Sequence, residues 1–240
     1  MILNNERKHA IKAQMHVTKT SVYSSRFFYY LLFLLVMSFF WGQAIANDSE
    51  WVEVATVIDG DTLRLNDGRW VRLIGIDTAE IDHRNAMAEP WAVEAWQALA
   101  QMTNGGRVHL KYGPDRFDSH GRLLAHVFDE RGNWVNEQMI SRGLAHVLYV
   151  EPNIEAFPKL LVAQQKAINS RIGQWKTYSA NQGPWVGNQR TRRFHAPQCP
   201  LVQQIQPKTK VLFSNQKQSF LQGYAPCRRC IILPKKELKR

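Results

Sequence analysis

The sequence predicts a mainly β, α+β protein: a closed five-stranded barrel of the OB type with flanking helices, followed by a small zinc-stabilised C-terminal domain. Three observations predict it. From Trp51 to Asp77 apolar residues alternate, interrupted by Asp59-Gly60 and Asp67-Gly68. An Asp-Gly pair between alternating runs marks a hairpin, because its turn residues need positive φ. Two more strand-like runs follow, Arg107 to Tyr112 and Leu123 to Asp129, and all three cysteines (Cys199, Cys227, Cys230) fall near the C-terminal end.

Residues 1–46 stand apart from this fold. Arg7, Lys8, Lys12, Lys19 and Arg26 precede an apolar run from Phe27 to Met37, which resumes through Trp41 and ends at Ala44-Ile45-Ala46. That is the layout of a secretory signal peptide. An apolar stretch of about 15 residues is short for a span of about 20, so cleavage after Ala46 is the expectation, with an uncleaved signal anchor as the alternative. Export would place the protein in the periplasm or outside the cell.

The elements then follow in order. Strands are expected at about 50–58, 62–66 and 69–76. A helix opens with Pro90 in its first turn, presents Val93, Trp96 and Leu99 on one face, and stops at Gly105-Gly106. After the fourth and fifth strands, Asn133 can cap a helix that ends at Gly143. Another carries Phe157, Leu161, Ile168 and Ile172 at helical spacing. Gln182-Gly183-Pro184 reads as a linker, dividing a larger body (47–180) from an accessory domain (185–240).

Charge divides at the same place. Residues 47–184 hold 14 basic and 18 acidic residues, whereas residues from Trp185 onward hold twelve basic residues and one acid, Glu237. The sequence pI of 9.8 is therefore a property of the C-terminal part. An acidic body joined to a basic module suits a polyanionic partner. Lys235 to Arg240 alone would be no more than a solvated tail.

Within the hairpins, Asp59-Gly60-Asp61-Thr62 and Arg72-Leu73-Ile74-Gly75-Ile76-Asp77-Thr78-Ala79-Glu80 gather carboxylates beside an arginine. Carboxylates held close repel unless a cation lies between them, and oxygen-only ligands select calcium or magnesium over zinc. The arginine calls for an anion, so a hard metal beside a phosphate satisfies both groups. One objection is geometrical. Arg72 and Asp77 are an odd number of residues apart, so strict alternation would point them to opposite faces. A bulge at Gly75, or a strand that ends there, removes the conflict. Asp59 and Thr62, taken singly, read equally well as turn residues.

These two stretches, with Gly121-Arg122-Leu123-Leu124-Ala125, Val135-Asn136-Glu137, Gly143-Leu144-Ala145 and Tyr149, resemble the staphylococcal nuclease (thermonuclease) family in order and spacing over about residues 50 to 175. The resemblance implies an endonuclease that cuts DNA and RNA phosphodiesters without regard to the sugar and leaves 3′-phosphates. It implies calcium held by Asp61, Asp77 and the carbonyl of Thr78, Glu80 as general base, and Arg72 and Arg122 clamping the phosphate. Asp59 would support the metal, and Tyr149 would line the nucleotide pocket. Two positions depart from the pattern. Ala79 stands where the family has proline, and His120 where it often has an aromatic phenol, a change that bears on nucleotide preference or pH dependence.

In the C-terminal part, His195-x3-Cys199 and Cys227-x2-Cys230 form two close ligand pairs. Four such ligands suit a structural tetrahedral zinc, and a segment this short needs a staple to fold. A Cys227–Cys230 disulfide or free thiols are the alternatives in an oxidising compartment. The segment about 187–232 resembles the metal-binding domain of the Ada repair protein; His195 in place of a thiolate argues against methyl transfer. Arg190, Arg192, Arg193, Arg228 and Arg229 flank the ligands as a phosphate-binding patch. A non-catalytic nucleic-acid binder on the same barrel is the rival reading, and a calcium-binding envelope protein leaves Arg72 and Arg122 unexplained. No protein partner is implied.

Overall fold

A computed structural model describes residue 29 and residues 48–82, 87–103, 106–178 and 182–230. The expected leader (Tyr29 aside), the helix stop at Gly105 and the Lys235–Arg240 tail lie outside the described residues. Among the described residues no helix is long and apolar enough to cross a membrane. From Asp48 onward the chain forms one compact unit.

Strands β1 (Ser49–Val57), β2 (Thr62–Leu65) and β3 (Trp70–Leu73) are consecutive and antiparallel, joined by the two Asp-Gly turns. The chain then leaves the barrel for β4 (Ile76–Thr78) and the short ribbon of β5 (Ile81–Asp82) and β6 (Met87–Ala88). Helix α1 (Ala92–Thr103) leads to β7 (Arg107–Phe117) and β8 (Leu123–Phe128). Pairing of β3 with β8 in parallel, and of β7 with both β8 and β1, closes the barrel in the order β1-β2-β3-β8-β7. This is the expected five-stranded barrel with helical flanks. Its interior alternates as a half-buried strand must: Val52, Val54, Leu63, Leu65, Val71, Leu73, Val108, Leu110, Ala125 and Val127 all point inward.

Several expectations are corrected. Asp59-Gly60 does not turn through positive φ; only Gly68 of the two turn glycines does (φ +88°). Gly60 is required for space instead, since a Cβ there would lie 2.6 Å from the Ala95 Cβ and 2.8 Å from the Thr78 hydroxyl oxygen. On α1 the buried face is Ala92, Ala95, Ala98 and Leu99, while Val93 and Trp96 are exposed. The close approach of α1 to the site loop selects alanines, which hydrophobic counting undervalues. Asn133 does not cap the next helix; it hydrogen-bonds Asp129, and α2 (Val135–Ser141) starts after Trp134 without a side-chain cap. Strand β9 (Ala145–Val147) follows, then α3 (Phe157–Asn169), which stops before Ile172.

The expected linker is a strand. Residues 182–188 form β10 (Gln182–Asn188), the middle of a sheet ordered β12-β10-β11-β13 with β11 (Arg193–His195), β12 (Lys210–Asn215) and β13 (Ala225–Pro226); α4 (Gln216–Leu221) packs beside it. Phe194, Phe213, Phe220 and Tyr224 form its core, as the sequence suggests, and that core is continuous with Ala167, Ile168 and Trp175 of the nuclease-like body. Two amides of α3 seal the junction: Gln164 donates to the Phe220 carbonyl at 2.6 Å, and Gln165 donates to that of Leu221 at 2.8 Å.

Candidate active site

The acidic site forms where the chain crosses from the barrel to β4. Gly75 makes the crossing in the left-handed region (φ +77°), where its missing Cβ also avoids Leu160. Ending β3 at Leu73 and restarting at Ile76 resets the alternation, so Arg72 and Asp77 meet despite their odd spacing. Arg72 fastens both ends of the crossing. Its Nη1 donates to the carbonyls of Leu73 and Ile76 (2.9 Å each), and its Nη2 lies 3.0 Å from Asp77 Oδ1 and 3.1 Å from Asp61 Oδ2.

Asp61 and Asp77 are both 4% exposed. Asp61 Oδ2 accepts hydrogen bonds from the Thr78 backbone N–H (3.0 Å) and hydroxyl (3.1 Å), and Oδ1 accepts from Thr62. Asp59 accepts from the Asp61 N–H and so fixes the turn that delivers it. Burial, helped by the nearby charges of Asp59 and Asp77 and opposed by Arg72, pushes the Asp61 carboxyl up to about 6. Asp77 goes the other way: burial is more than offset by the His146 imidazole and the guanidinium groups of Arg72 and Arg228, so it stays well below the ordinary carboxylate range. His146 enters through strand pairing, opposite Asp77 on β9, with Nε2 3.5 Å from Asp77 Oδ2. Glu80 borders the pocket, half exposed, its backbone tied to Glu89. Burial and the two aspartates raise its carboxyl.

The structure thus brings together Asp59, Asp61, Arg72, Asp77, Thr78 and Glu80. Arg122 stands immediately before β8, the strand paired in parallel with the strand of Arg72. It precedes the β8 residue that pairs with Val71, and its guanidinium and backbone N–H are held by Asp118 (2.7 and 3.0 Å). His120 lies exposed in the same turn. Tyr149 donates to Glu151 and packs edge-on against Phe157. It lines a cleft of about 650 Å³ shared with Arg190, Arg193 and Arg228. Arg192 instead covers the Tyr224 ring, and Arg229 is exposed next to Arg228 in the same turn, so the expected patch is divided.

Two participants escape sequence reasoning. His146 reaches the site only through the β4–β9 pairing, which no local pattern announces. Arg228, expected as part of a surface patch, spans 151 residues to reach the acids: its Nη2 donates to Asp77 Oδ1 (2.9 Å) and the Thr78 carbonyl (3.0 Å), and its Nη1 lies 2.9 Å from Glu80 Oε1.

The second constellation assembles as expected. One ligand atom from each of His195, Cys199, Cys227 and Cys230 lies within 4.8 Å of the others, and the three cysteines are free thiols rather than a disulfide. His195 Nδ1 and Cys199 Sγ are 3.5 Å apart, matching the edge of about 3.5 Å that tetrahedral zinc with bonds of about 2.0 Å to nitrogen and 2.3 Å to sulfur requires. Burial, with Cys199 and Cys227 beside it, raises the Cys230 thiol well above its ordinary value. Packing thiols this closely is what a bound cation would relieve.

Fold and site together define a class: an OB-type barrel that presents a buried acid pair bridged by a guanidinium, with a half-exposed glutamate at its rim. The chain belongs to the staphylococcal nuclease homologue family, whose model matches residues 70–177. It is 31% identical over 137 residues to the thermonuclease of Staphylococcus hyicus, spanning 80% of that protein and 56% of this chain. It is 32% identical over 139 residues to endonuclease YncB of Bacillus subtilis, covering 65% of that protein and 55% of this chain. It is also 33% identical over 129 residues to the prophage-derived endonuclease YokF of the same organism, covering 43% of that protein and 52% of this chain. The chain therefore spans less than two-thirds of either B. subtilis relative. The family match ends before the four Cys/His positions.

Proposed function

We propose that this protein is an exported, calcium-dependent endonuclease that hydrolyses DNA and RNA without sugar specificity and leaves 3′-phosphates. The observation that carries the reading is the buried Asp61–Asp77 pair bridged by Arg72, with Glu80 at its rim. A nucleic-acid binder gains nothing from a repulsive acidic cluster facing its ligand, which disfavours the non-catalytic alternative. Asp61, Asp77 and the Thr78 carbonyl offer only oxygen, and the raised Asp61 carboxyl marks a charge that this pocket leaves unrelieved. Calcium suits that donor set, and bound there it would supply Lewis-acid stabilisation of the phosphate.

The chain's own groups do the rest. Arg72 is immobilised by two carbonyls and two carboxylates, so its charge is preorganised for the negative charge that builds at phosphorus. Glu80 is half exposed and has an elevated proton affinity, which suits a base that takes a proton from an attacking water. The Cys/His cluster serves as a structural zinc site that holds the C-terminal sheet together. Export rests on residues 1–46, and mass spectrometry of the mature N-terminus tests it.

The direct test is nicking of plasmid and digestion of RNA with calcium, with a chelator, and with Glu80→Gln. Cleavage that needs calcium and falls about 10²–10⁴-fold in the variant is expected. Product ends should block extension by a polymerase until a phosphatase removes the 3′-phosphate. Intact DNA and RNA under every divalent ion tried would end the nuclease reading.

A further inference from the structure

Arg228 belongs to neither constellation as the family pattern draws them, yet it touches both. It lies inside the Cys227-x2-Cys230 turn, flanked by two of the four clustered ligands. The turn is fixed at both ends: the Cys227 N–H donates to the Phe194 carbonyl (2.9 Å), and the Cys230 N–H donates to that of Cys227 (3.2 Å). From that anchored turn the guanidinium crosses to the nuclease-like body. Its Nη2 and that of Arg72 bond the same atom, Asp77 Oδ1, at 2.9 and 3.0 Å. The side chain is 41% exposed and borders the cleft that holds Tyr149, Arg190 and Arg193.

We propose that Arg228 is a third active-site guanidinium: the Cys/His module delivers it to the nuclease pocket, where it grips the phosphate undergoing cleavage alongside Arg72. The inference rests on the nuclease reading above and adds a residue to it. Arg122, the other expected clamp, is engaged by Asp118 at the barrel hairpin, whereas Arg228 already stands beside Arg72 and Glu80. A guanidinium has five donors in a planar fork that fits carboxylate and phosphate alike. With its exposed side toward the basic cleft, Arg228 exchanges carboxylate oxygens for phosphate oxygens when a substrate strand occupies that cleft and a cation takes Asp77 and Thr78. Metal at the Cys/His cluster fixes the turn that carries it, so the module acts as a positioning device for the chemistry.

The test uses the full chain, Arg228→Ala and Arg228→Lys, with zinc content measured on each to show an intact module. At saturating calcium, kcat of Arg228→Ala is expected to fall about 10²–10³-fold, with Arg228→Lys recovering only part of the loss because a single ammonium lacks the fork. In a Glu80→Gln background, with calcium chelated so that the strand survives the titration, binding of a single-stranded oligonucleotide should lose about 0.7 from its log–log salt slope, the loss of one phosphate contact. Unchanged kcat with an unchanged salt slope would overturn the proposal. So would a lowered calcium requirement with unchanged kcat, which would make Arg228 a plug on the cation ligands. An inactive wild type would fail the nuclease reading, and the salt slope would still decide whether Arg228 meets phosphate.

Discussion

Replacing Asp61 by asparagine should make the protein more stable and less active, and the structure sets the size of both effects. Asp61 is buried, and its carboxyl is pushed from 3.8 up to about 6. A native pKa raised by about two units costs about 3 kcal/mol at pH 7.5, where the group is ionised in both native and unfolded chains. The neutral carboxyl's contribution is fully present below about 3.8 and is lost as pH rises through about 6. Asparagine carries no such charge. Its carbonyl can accept from Thr78 as Oδ2 does, and its amide can donate to the Thr62 hydroxyl in place of Oδ1. Against this, Arg72 loses one of two carboxylate partners. A net gain of about 1–2 kcal/mol remains, or about 2–8 °C in Tm for a body of this size. The assay is thermal melting in chelator at pH 7.5 and pH 5, with calcium titration and nicking alongside. The variant should melt higher at pH 7.5, and the advantage should shrink at pH 5, where native Asp61 is protonated. Activity should fall at least about 10²-fold because a cation ligand is gone. A variant that melts lower than the wild type in chelator at pH 7.5, or a gap independent of pH, would refute the view that Asp61 is a charge stored for a cation.

Four further predictions concern the same framework. Since calcium must meet an ionised Asp61, its apparent affinity should drop about tenfold per pH unit below about 6, measurable by titration calorimetry, with proton release accompanying binding. Gly60→Ala should cost about 1–3 kcal/mol by overpacking, because the new methyl meets the Ala95 Cβ and Thr78; Tm and calcium affinity should fall together. Gln164→Ala orphans the Val147 N–H and the Phe220 carbonyl, both buried partners of one amide, and urea melts should show about 2–4 kcal/mol lost. Truncation before residue 182 removes Phe220 and Phe194 from the core they share with Trp175, so it should lower Tm as well as weaken nucleic-acid binding.

Much of this was legible in residue order because it depends on local rules. Alternation and Asp-Gly turns gave β1 to β3, and the motif spacing gave Asp61, Arg72, Asp77 and Glu80. The ligand pairs His195/Cys199 and Cys227/Cys230 are also local, and only their convergence needed the fold. What sequence patterns missed depends on close approach or distant pairing. The buried face of α1 is alanine because the helix must approach Gly60, so Val93 and Trp96 were the wrong face. A Gln-Gly-Pro run reads as a break, yet β10 can include it because β12 pairs with its start and then shifts register beside Gly183-Pro184. His146 and Arg228 became neighbours of Asp77 only through β4–β9 pairing and through packing of the C-terminal sheet.

The C-terminal sheet meets the acidic pocket from two directions, and this makes separable functions for the two parts an unsuitable picture. Behind Asp77, Phe220 packs edge-on against His146 (5.6 Å) and Trp175 (5.1 Å), so the module's core backs the imidazole that stands against the carboxylate. In front, Arg228 closes on Asp77, Thr78 and Glu80. Both contacts depend on the path from Phe194 through Cys227, which the Cys/His cluster fixes. The barrel supplies the acids and Arg72, but the orientation of Asp77 is set jointly. Loss of the metal-ligand set should therefore register at the nuclease pocket, although every ligand lies more than a hundred residues of chain beyond Glu80, as surely as a change to the pocket itself.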